Sequence, residues 1–252
     1  MIHIDHLTKR FGSFTAVDEL CLDIREGEIF GFLGPNGAGK TTTIRMMMGL
    51  LKPTAGRIVL GAHDLAIDPI AAKAQTGFVP DQPYVYDKIT GREFLHFVGG
   101  LYQVPASSLP QKAEESLSTF SLLEWGDELI ETYSHGMKQR LVVASALLHD
   151  PRILVVDEPM VGMDPMGARM LKTLLRSLTD AGKTIFMSTH SLEVAEELCD
   201  RIGIILNGKL IAYGSLDELR QQAGQNEDRL EDIFLKLTAA PDMLNVIEAL
   251  RA

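Results

Sequence analysis

The chain has 252 residues, of which 46% are hydrophobic and 23% are charged, as in ordinary globular proteins. This composition excludes a collagen-like chain, a small disulfide scaffold and a wholly disordered protein. The 34 acidic residues outnumber the 24 basic ones and give a formal net charge of −10, which argues against a protein that binds duplex nucleic acid through a basic surface.

Two further classes of protein are disfavoured. No stretch of the sequence approaches the ~20 apolar residues that a membrane-spanning helix needs, and the N-terminus lacks the basic and apolar regions of a signal peptide. We therefore expect a cytoplasmic protein that reaches a membrane only through another chain. Its two cysteines, Cys21 and Cys199, are not at metal-binding spacing, and we expect both to be buried free thiols.

The predicted elements begin with an antiparallel hairpin in the first thirty residues. Apolar and polar residues alternate over residues 2–5 and 20–24, which is the period of a half-buried strand. Residues 29–33 are continuously apolar, as expected of a strand that is buried on both faces. A glycine-rich loop at residues 34–39 follows, and a helix is predicted from residue 40 to about residue 48.

The rest of the chain predicts a helical segment and then alternating strands and helices. The helical segment runs from about Thr90 to Leu148 and opens with a capping box of Thr90 and Glu93. The later predictions are a strand at 153–156, a helix at 165–180, a strand at 184–187, a helix at 191–198, a hairpin at Asn207-Gly208, a capping box of Ser215 with Glu218, a linker at 221–228 and an amphipathic segment at 230–237. This order predicts an α/β core that carries an inserted helical subdomain.

A phosphate-binding loop lies between the buried strand and the helix that follows it. Its sequence fits the pattern G-x-x-x-x-G-K-[ST], in which glycines turn backbone N–H groups towards phosphates at a helix N-terminus. Lys40 should reach the β- and γ-phosphates, which also makes it a predicted catalytic residue, and the Thr41 hydroxyl should bind Mg²⁺. The predicted nucleotide-binding residues of this loop are Gly34, Pro35, Asn36, Gly37, Ala38, Gly39, Lys40, Thr41 and Thr42. The loop predicts a nucleoside triphosphate site.

An acidic pair follows the buried run at residues 153–156. An acid that ends a strand beside a phosphate loop can hold Mg²⁺, and Asp157 is in that position. Glu158 can then polarise the attacking water as a general base, which predicts hydrolysis. The alternative interpretation is a core strand that simply meets solvent at two acids.

The segment Tyr-Ser-His-Gly-Met-Lys-Gln-Arg at residues 133–140 carries the most specific resemblance. It resembles the signature segment of the ATP-binding subunits of ABC transporters, and the resemblance extends from Ile2 to about Leu237. Ser134 is a good N-cap and Gly136 has no side chain to block an anion, so this helix N-terminus suits a phosphate. In the family, the signature and the phosphate loop of opposite protomers enclose each ATP, which implies a head-to-tail dimer, with a homodimer expected.

The resemblance also implies roles for three residues outside these motifs. Phe11 stands where the family stacks an aromatic ring on adenine, and Asp164 lies in a loop similar to the one that contacts the partner subunit. His190 looks like the switch histidine that binds the γ-phosphate and orients water, and it is therefore a predicted catalytic residue.

The sequence departs from the family pattern at two positions. The usual glutamine after residues 78–80 is replaced by Asp81, with Gln82 next to it. In the family that residue contacts Mg²⁺ and couples the site to the membrane domain, so we expect Asp81 at the metal and Gln82 in coupling. His135 stands where a second signature glycine is usual.

The resemblance implies a complete fold and activity. The expected fold is an α/β P-loop NTPase with a RecA-like core, an antiparallel β subdomain and a helical subdomain inserted at about 84–150. Residues 2–228 would form the ATPase domain and residues 229–252 a C-terminal helical extension. The activity would be Mg²⁺-dependent ATP hydrolysis that drives a separate permease, with the subunit held on the inner face of the cell membrane and the surface around residues 84–89 as the coupling patch.

Particular features of the sequence favour one subgroup of ABC transporters over other functions. The acidic residue at the glutamine position, the signature histidine and residues 230–237 resemble subunits paired with ABC-2-type exporters, which predicts export. A second hypothesis is a soluble ABC-type ATPase that acts on nucleic acid or ribosomes. The single phosphate loop, the two cysteines, the missing heptad run and the acidic charge count against it, and no nucleic acid partner is expected. A kinase or GTPase would not explain residues 134–136.

Overall fold

The computed structural model describes residues 1–160, 163–224 and 229–238. The strands are β1 (Ile2–Phe11), β2 (Phe14–Ile24), β3 (Ile29–Leu33), β4 (Ala55–Leu60), β5 (His63–Asp64), β6 (Thr76–Val79), β7 (Ile153–Asp157), β8 (Thr184–Thr189), β9 (Arg201–Leu206) and β10 (Lys209–Gly214). The helices are α1 (Lys40–Met47), α2 (Pro69–Ala74), α3 (Gly91–Leu101), α4 (Leu109–Thr119), α5 (His135–Leu147), α6 (Pro165–Asp180), α7 (Leu192–Leu198), α8 (Leu216–Ala223) and α9 (Leu230–Thr238). No helix in these described ranges is long and apolar enough to cross a membrane.

The larger sheet has six strands in the order β10-β9-β3-β8-β7-β6. Its strands from β9 to β6 are parallel, and β10 adds to the edge as the antiparallel partner of β9. Every residue of β3, β7 and β8 is buried, which explains their continuous apolar sequences. Because these strands are parallel neighbours, the segments that follow β3, β7 and β8 meet at one edge of the sheet.

The core lies on both faces of this sheet, since alternate residues of a strand point to opposite sides. In β7, Leu154 and Val156 pack with apolar residues of helices α3 to α7. Ile153 and Val155 belong to a second cluster, which contains residues of α1 and of the strands β1, β2 and β4. The sheet is therefore covered by helices on one face and by α1 with the smaller sheet on the other.

The smaller sheet is antiparallel, with the strand order β2-β1-β4-β5. It confirms the predicted hairpin, although β4 and β5 were not predicted. The pairing of β1 with β2 shifts between Ile4↔Leu22 and Leu7↔Leu20. Two residues of β1, Asp5 and His6, therefore lie opposite Cys21 of β2, and His6 has a φ of 46°. We call this irregularity the β1 bulge.

The predicted helical segment is confirmed and contains α3, α4 and α5, with short 3₁₀ turns before α5. Thr90 and Glu93 form the predicted capping box: the Thr90 N–H donates to Glu93 Oε2 at 2.8 Å, and the Glu93 N–H donates to Thr90 Oγ1 at 3.1 Å. Leu95, Leu117 and Leu141, one from each helix, are fully buried in the same cluster. These contacts hold the three helices together.

The C-terminal predictions are mostly confirmed. Asn207 and Gly208 have φ values of 49° and 79°, the left-handed conformations of a tight hairpin turn, and they join β9 to β10. The linker prediction is wrong for residues 221–223, because α8 continues to Ala223, which is buried. Helix α9 confirms the amphipathic segment and packs on α8 and α7. Residues 225–228 of the linker and 239–252 of the predicted extension lie outside the described residues.

The cysteine prediction is wrong for Cys21. This residue lies between the buried Leu20 and Leu22 on β2, so the alternation of the strand turns it outwards and it is exposed. The Cys199 thiol does face the interior, close to Gly31, where an added Cβ would lie 2.6 Å from the sulfur. Burial raises the pKa of this thiol to about 12.

Candidate active site

The phosphate loop curls around the Lys40 side chain. The Lys40 Nζ donates to the carbonyl oxygens of Gly34 at 2.7 Å and Pro35 at 3.3 Å. Gly37 and Gly39 have φ values of 80° and 113°, a backbone conformation that strains any residue with a side chain. Helix α1 begins at Lys40 and has no acid in its own first turn, so its N-terminus favours an anion.

The rest of the loop divides into an exposed tip and a buried base. Pro35, Asn36 and Gly37 are exposed, whereas Ala38 is buried below them. Thr41 is exposed, and the side chain of its neighbour Thr42 is half-buried at the start of α1. The loop therefore presents its tip and the first turn of the helix to solvent.

Asp157 ends β7 and is almost fully buried, with 2% exposure. Burial raises the pKa of its carboxyl group above 3.8, and the nearby charges of Asp81 and Glu158 raise it further. Hydrogen bonds from the Ser188 and Thr41 hydroxyls act in the opposite direction by stabilising the carboxylate. A divalent cation would compensate this concentration of negative charge.

The three predicted metal residues line one cavity of about 340 Å³. Thr41, Asp81 and Asp157 all contribute to its wall, together with Tyr84. Hydroxyl and carboxylate oxygens are the ligands that Mg²⁺ prefers. The donor chemistry of these residues therefore fits a magnesium ion at this position.

The three predicted catalytic residues form one chain of contacts. Glu158 Oε1 lies 3.6 Å from Lys40 Nζ. Glu158 Oε2 lies 2.9 Å from His190 Nδ1 and also accepts the backbone N–H of His190 at 3.2 Å. The Glu158 side chain is largely buried, whereas that of His190 is 57% exposed. Lys40, Glu158 and His190 thus meet at the edge of the sheet.

Glu158 has an unusual backbone conformation. Its φ of 49° lies in the left-handed region, which costs a non-glycine residue about 1–3 kcal/mol. Its N–H donates to the backbone oxygen and to the hydroxyl of Ser188, both at 3.2 Å. These bonds from the neighbouring strand hold the carboxylate between Lys40 and His190.

Ser188 lies two residues before His190, and the sequence motifs predict no role for it. It lies opposite Asp157 in the register of β7 and β8, and it bonds to both acids. The sequence signal for Ser188 is a polar residue that directly follows the apolar residues 185–187 of β8. The contact itself depends on strand order, which the sequence motif does not give.

The signature residues lie on a second cavity of about 250 Å³, whose lining does not include the phosphate loop. Ser134 caps α5 by accepting the Met137 N–H at 3.3 Å. A Cβ added at Gly136 would meet nothing within 4 Å, so this glycine leaves the wall of the cavity open. Asp164, which caps α6 by accepting the Gly167 N–H at 2.6 Å, lines the same cavity. The neighbouring Gly162 lies outside the described residues.

The two remaining predicted residues are exposed. Phe11 ends β1 and is 50% exposed, with the Lys9 ammonium 5.1 Å from the centre of its ring. Gln82 lies in the exposed loop after β6. Both side chains are free to contact a ligand or a partner.

Comparison with known proteins shows the family to which this chain belongs. The family model described as "ABC transporter" matches residues 17–161. An uncharacterized ABC transporter ATP-binding protein of Nostoc sp. is 42% identical over 79% of the chain and 59% of its own length. The linearmycin resistance ATP-binding protein LnrL of Bacillus subtilis is 37% identical over 89% of the chain and 72% of its own length. The chain thus spans about three fifths of the Nostoc relative.

Solved structures share the whole fold. A structure described as the ATP-binding subunit of an ABC transporter has a TM-score of 0.89 and 29% identity, covering 94% of this chain and 99% of the other. A dimeric post-hydrolysis state of the ATP-binding cassette MJ0796, bound to ADP and Pi, has a TM-score of 0.77 and 26% identity, covering 86% and 99%. The predicted P-loop NTPase fold is confirmed by these similarities.

Proposed function

Since the chain belongs to the ABC transporter family, we propose that it binds and hydrolyses ATP to power export through a separate membrane permease. The observation that carries the proposal is the position of Glu158 between Lys40 and His190. A carboxylate held there can accept a proton from water beside a nucleotide's terminal phosphate. The alternative, action on nucleic acid or ribosomes, is not favoured by the similarities or by the net charge of −10.

In the proposed reaction, each residue at the edge of the sheet has a separate role. Loop N–H groups and Lys40 bind the phosphates, and Lys40 exchanges its carbonyl partners for phosphate oxygens. Glu158 takes the proton of the water whose oxygen attacks the γ-phosphorus, and the bond to ADP breaks. His190 orients the water and donates to the γ-phosphate. Thr41 and Asp157, with Asp81 beside them, would hold Mg²⁺, which neutralises phosphate charge when bound.

The arrangement of the two cavities supports a head-to-tail homodimer. Thr41, which follows the phosphate loop, and the signature residues Ser134 and Gly136 line different cavities of one chain. A second copy could bring its signature helix N-terminus to the nucleotide held by the first copy's loop, since such N-termini favour phosphate. Phe11 would stack on adenine, and Asp164 would contact the partner. The relative solved as a dimer bound to ADP and Pi supports dimerisation.

Coupling to a permease is assigned to the exposed aromatic surface beside the metal residues. Tyr84 is 72% exposed and lines the cavity of Thr41, Asp81 and Asp157. Tyr86 is 59% exposed and meets Phe97 of α3 edge-on, with ring centres 5.5 Å apart. Exposed aromatic residues of this kind favour a protein contact. Gln82 lies in the same loop, so a movement at the metal site could reach the permease directly.

The direction of transport and the location of the chain are also part of the proposal. The relative named for linearmycin resistance supports export, because resistance is commonly achieved by removing a toxic compound. The chain would be cytoplasmic and would lie on the inner face of the cell membrane, held there by its permease.

The hydrolysis proposal is tested by measuring phosphate release from ATP with Mg²⁺ and with a chelator. Lys40→Ala should slow release about 100-fold or more, because the ammonium group no longer stabilises the negative charge of the transition state. Lys183→Ala is the matched control, since Lys183 pairs with Asp150 and Pro151 instead. Equal rates of phosphate release in the two variants would contradict the role proposed for Lys40.

The transport proposal requires a separate experiment. Affinity purification from detergent-solubilised native membranes should recover a multi-span membrane protein at equal stoichiometry. Recovery only in the soluble fraction, alone or with ribosomes or DNA, would overturn the transport proposal while leaving the ATPase proposal intact.

A further inference from the structure

The β1 bulge brings together three side chains that bind transition metals. Adjacent residues of a regular strand point to opposite faces, but the bulge directs both Asp5 and His6 towards Cys21 on β2. One ligand atom from each of the three residues lies within 4.8 Å of the other two. The Asp5 Oδ1 is 2.8 Å from His6 Nδ1, and the Cys21 sulfur accepts the His6 backbone N–H at 3.3 Å.

The backbone near these side chains is strained at His6 on β1, and the neighbouring strand β4 has a glycine where it passes His6. His6 has a φ of 46°, an unfavourable conformation for a residue with a side chain. On β4, Gly56 has a φ of 82°, and a Cβ there would lie 2.3 Å from the His6 carbonyl oxygen. Strand β4 can therefore pass the bulge only with glycine at this position. Bulges that redirect side chains in this way occur preferentially next to functional sites.

We propose that Asp5, His6 and Cys21 bind a thiophilic divalent cation of the zinc class, at a site distinct from the phosphate loop. Thiolate, imidazole and carboxylate are the ligands that zinc takes at about 2.0–2.3 Å, whereas Mg²⁺ prefers oxygen alone. The three donor atoms lie within 4.8 Å of one another and would have to move closer together to reach these distances. The thiol proton leaves to solvent on binding, and water completes a tetrahedral shell.

The surroundings of the three residues fit such a site. Cys21 and His6 are exposed and Asp5 is half-buried, so an ion can enter from solvent. Arg57 Nε lies 3.3 Å from Asp5 Oδ2 and holds that oxygen, while Oδ1 faces His6. Outer partners of this kind orient a ligand without competing for its binding atom.

The test is a Co²⁺ titration of the full chain without nucleotide or affinity tag. Co²⁺ occupies zinc sites and gives an intense near-ultraviolet charge-transfer band when it binds thiolate. We expect one equivalent to bind with this band, Zn²⁺ to displace it, and excess Mg²⁺ to leave it unchanged. Cys21→Ser should abolish the band, and His6→Asn should weaken Co²⁺ binding about tenfold or more.

The controls separate loss of the site from loss of the fold. Cys199→Ser removes the chain's other thiol and should leave the band in place. Cys21 is exposed, so its replacement removes no core contact, and asparagine tolerates the left-handed conformation of His6. ATP binding by each variant should match that of the unaltered chain. The absence of a thiolate band, or a band that survives Cys21→Ser, would overturn the proposal.

Discussion

At the scale of single residues, Glu158 contacts Lys40 through one carboxylate oxygen and His190 through the other. Glu158→Gln preserves the shape of the side chain but cannot accept a proton from water. We expect ATP to bind and its hydrolysis to fall about 100- to 10,000-fold, with the ATP-bound dimer accumulating. Phosphate release and light scattering with ATP measure the two effects. Glu196→Gln, at an exposed position on α7, is the control, and unchanged turnover in Glu158→Gln would remove the role assigned to Glu158.

The buried carboxylate of Asp157 lowers the stability of the fold, although the proposed metal site requires it. Its folded-state pKa is raised by burial, so its ionised form destabilises the nucleotide-free protein at neutral pH. Asp157→Asn should raise the melting temperature without nucleotide and abolish the additional stabilisation by Mg²⁺ and ATP. Because the penalty exists only where the carboxyl is ionised in the unfolded chain, the gain should disappear below about pH 3.8. Thermal unfolding over a pH series checks this, and a gain that is independent of pH would contradict it.

At the scale of elements, His149 connects the end of α5 to the end of α3. Its ring stacks on Tyr102 with the ring centres 3.8 Å apart. Burial lowers the pKa of His149 from 6.5 to about 4. Between these pH values the unfolded chain binds a proton that the folded chain does not, so the stability of the fold decreases as pH falls from 6.5 towards 4.

His149→Phe should reduce this loss, because phenylalanine keeps the ring contact and does not titrate. The measurement is the free energy of unfolding in urea at about pH 7 and about pH 5. His96→Phe, which replaces an exposed histidine on α3, should leave the pH dependence as it is. Equal pH dependence in the chain with and without His149→Phe would show that other groups cause the acid sensitivity.

The elements also show which parts of the fold can be predicted from sequence. Strands β3 and β7 are buried on both faces and are followed by local motifs, so the sequence alone identified both. Segment 55–79 contains a strand of two residues, a strand of four and a helix of six, which are too short for a clear period. Strand β6 forms by pairing with β7, which is distant in the sequence, and β5 forms by pairing with β4.

The same distinction applies to the candidate site. The phosphate loop could be predicted because its residues are contiguous. The bond of Ser188 to Asp157 and the approach of Cys21 to His6 depend on strand register, in which a shift of one residue turns a side chain to the opposite face. Such contacts are fixed by tertiary structure, and no spacing in the sequence reveals them.

At the scale of the whole molecule, the separate signature cavity predicts how dimerisation can be blocked. Gly136→Asp would place a negative charge where a partner's nucleotide is expected to lie. A Cβ added at Gly136 meets nothing within 4 Å, and an acid in the first turn of α5 favours the helix, so the monomer should stay folded. We expect loss of the ATP-dependent dimer in a Glu158→Gln background, as measured by light scattering. Gly100→Asp, at another open glycine, is the control, and a dimer that persists in Gly136→Asp would contradict the assembly.

The two cavities of one chain have a further consequence for mixtures of variants. In a head-to-tail pair, each composite site takes its phosphate loop from one chain and its signature residues from the other. If one chain carries Glu158→Gln and its partner carries Gly136→Asp, both defects fall in the same composite site. The opposite site then consists only of unaltered residues. Two chains that are each inactive as homodimers would thus complement one another and restore one working site per pair.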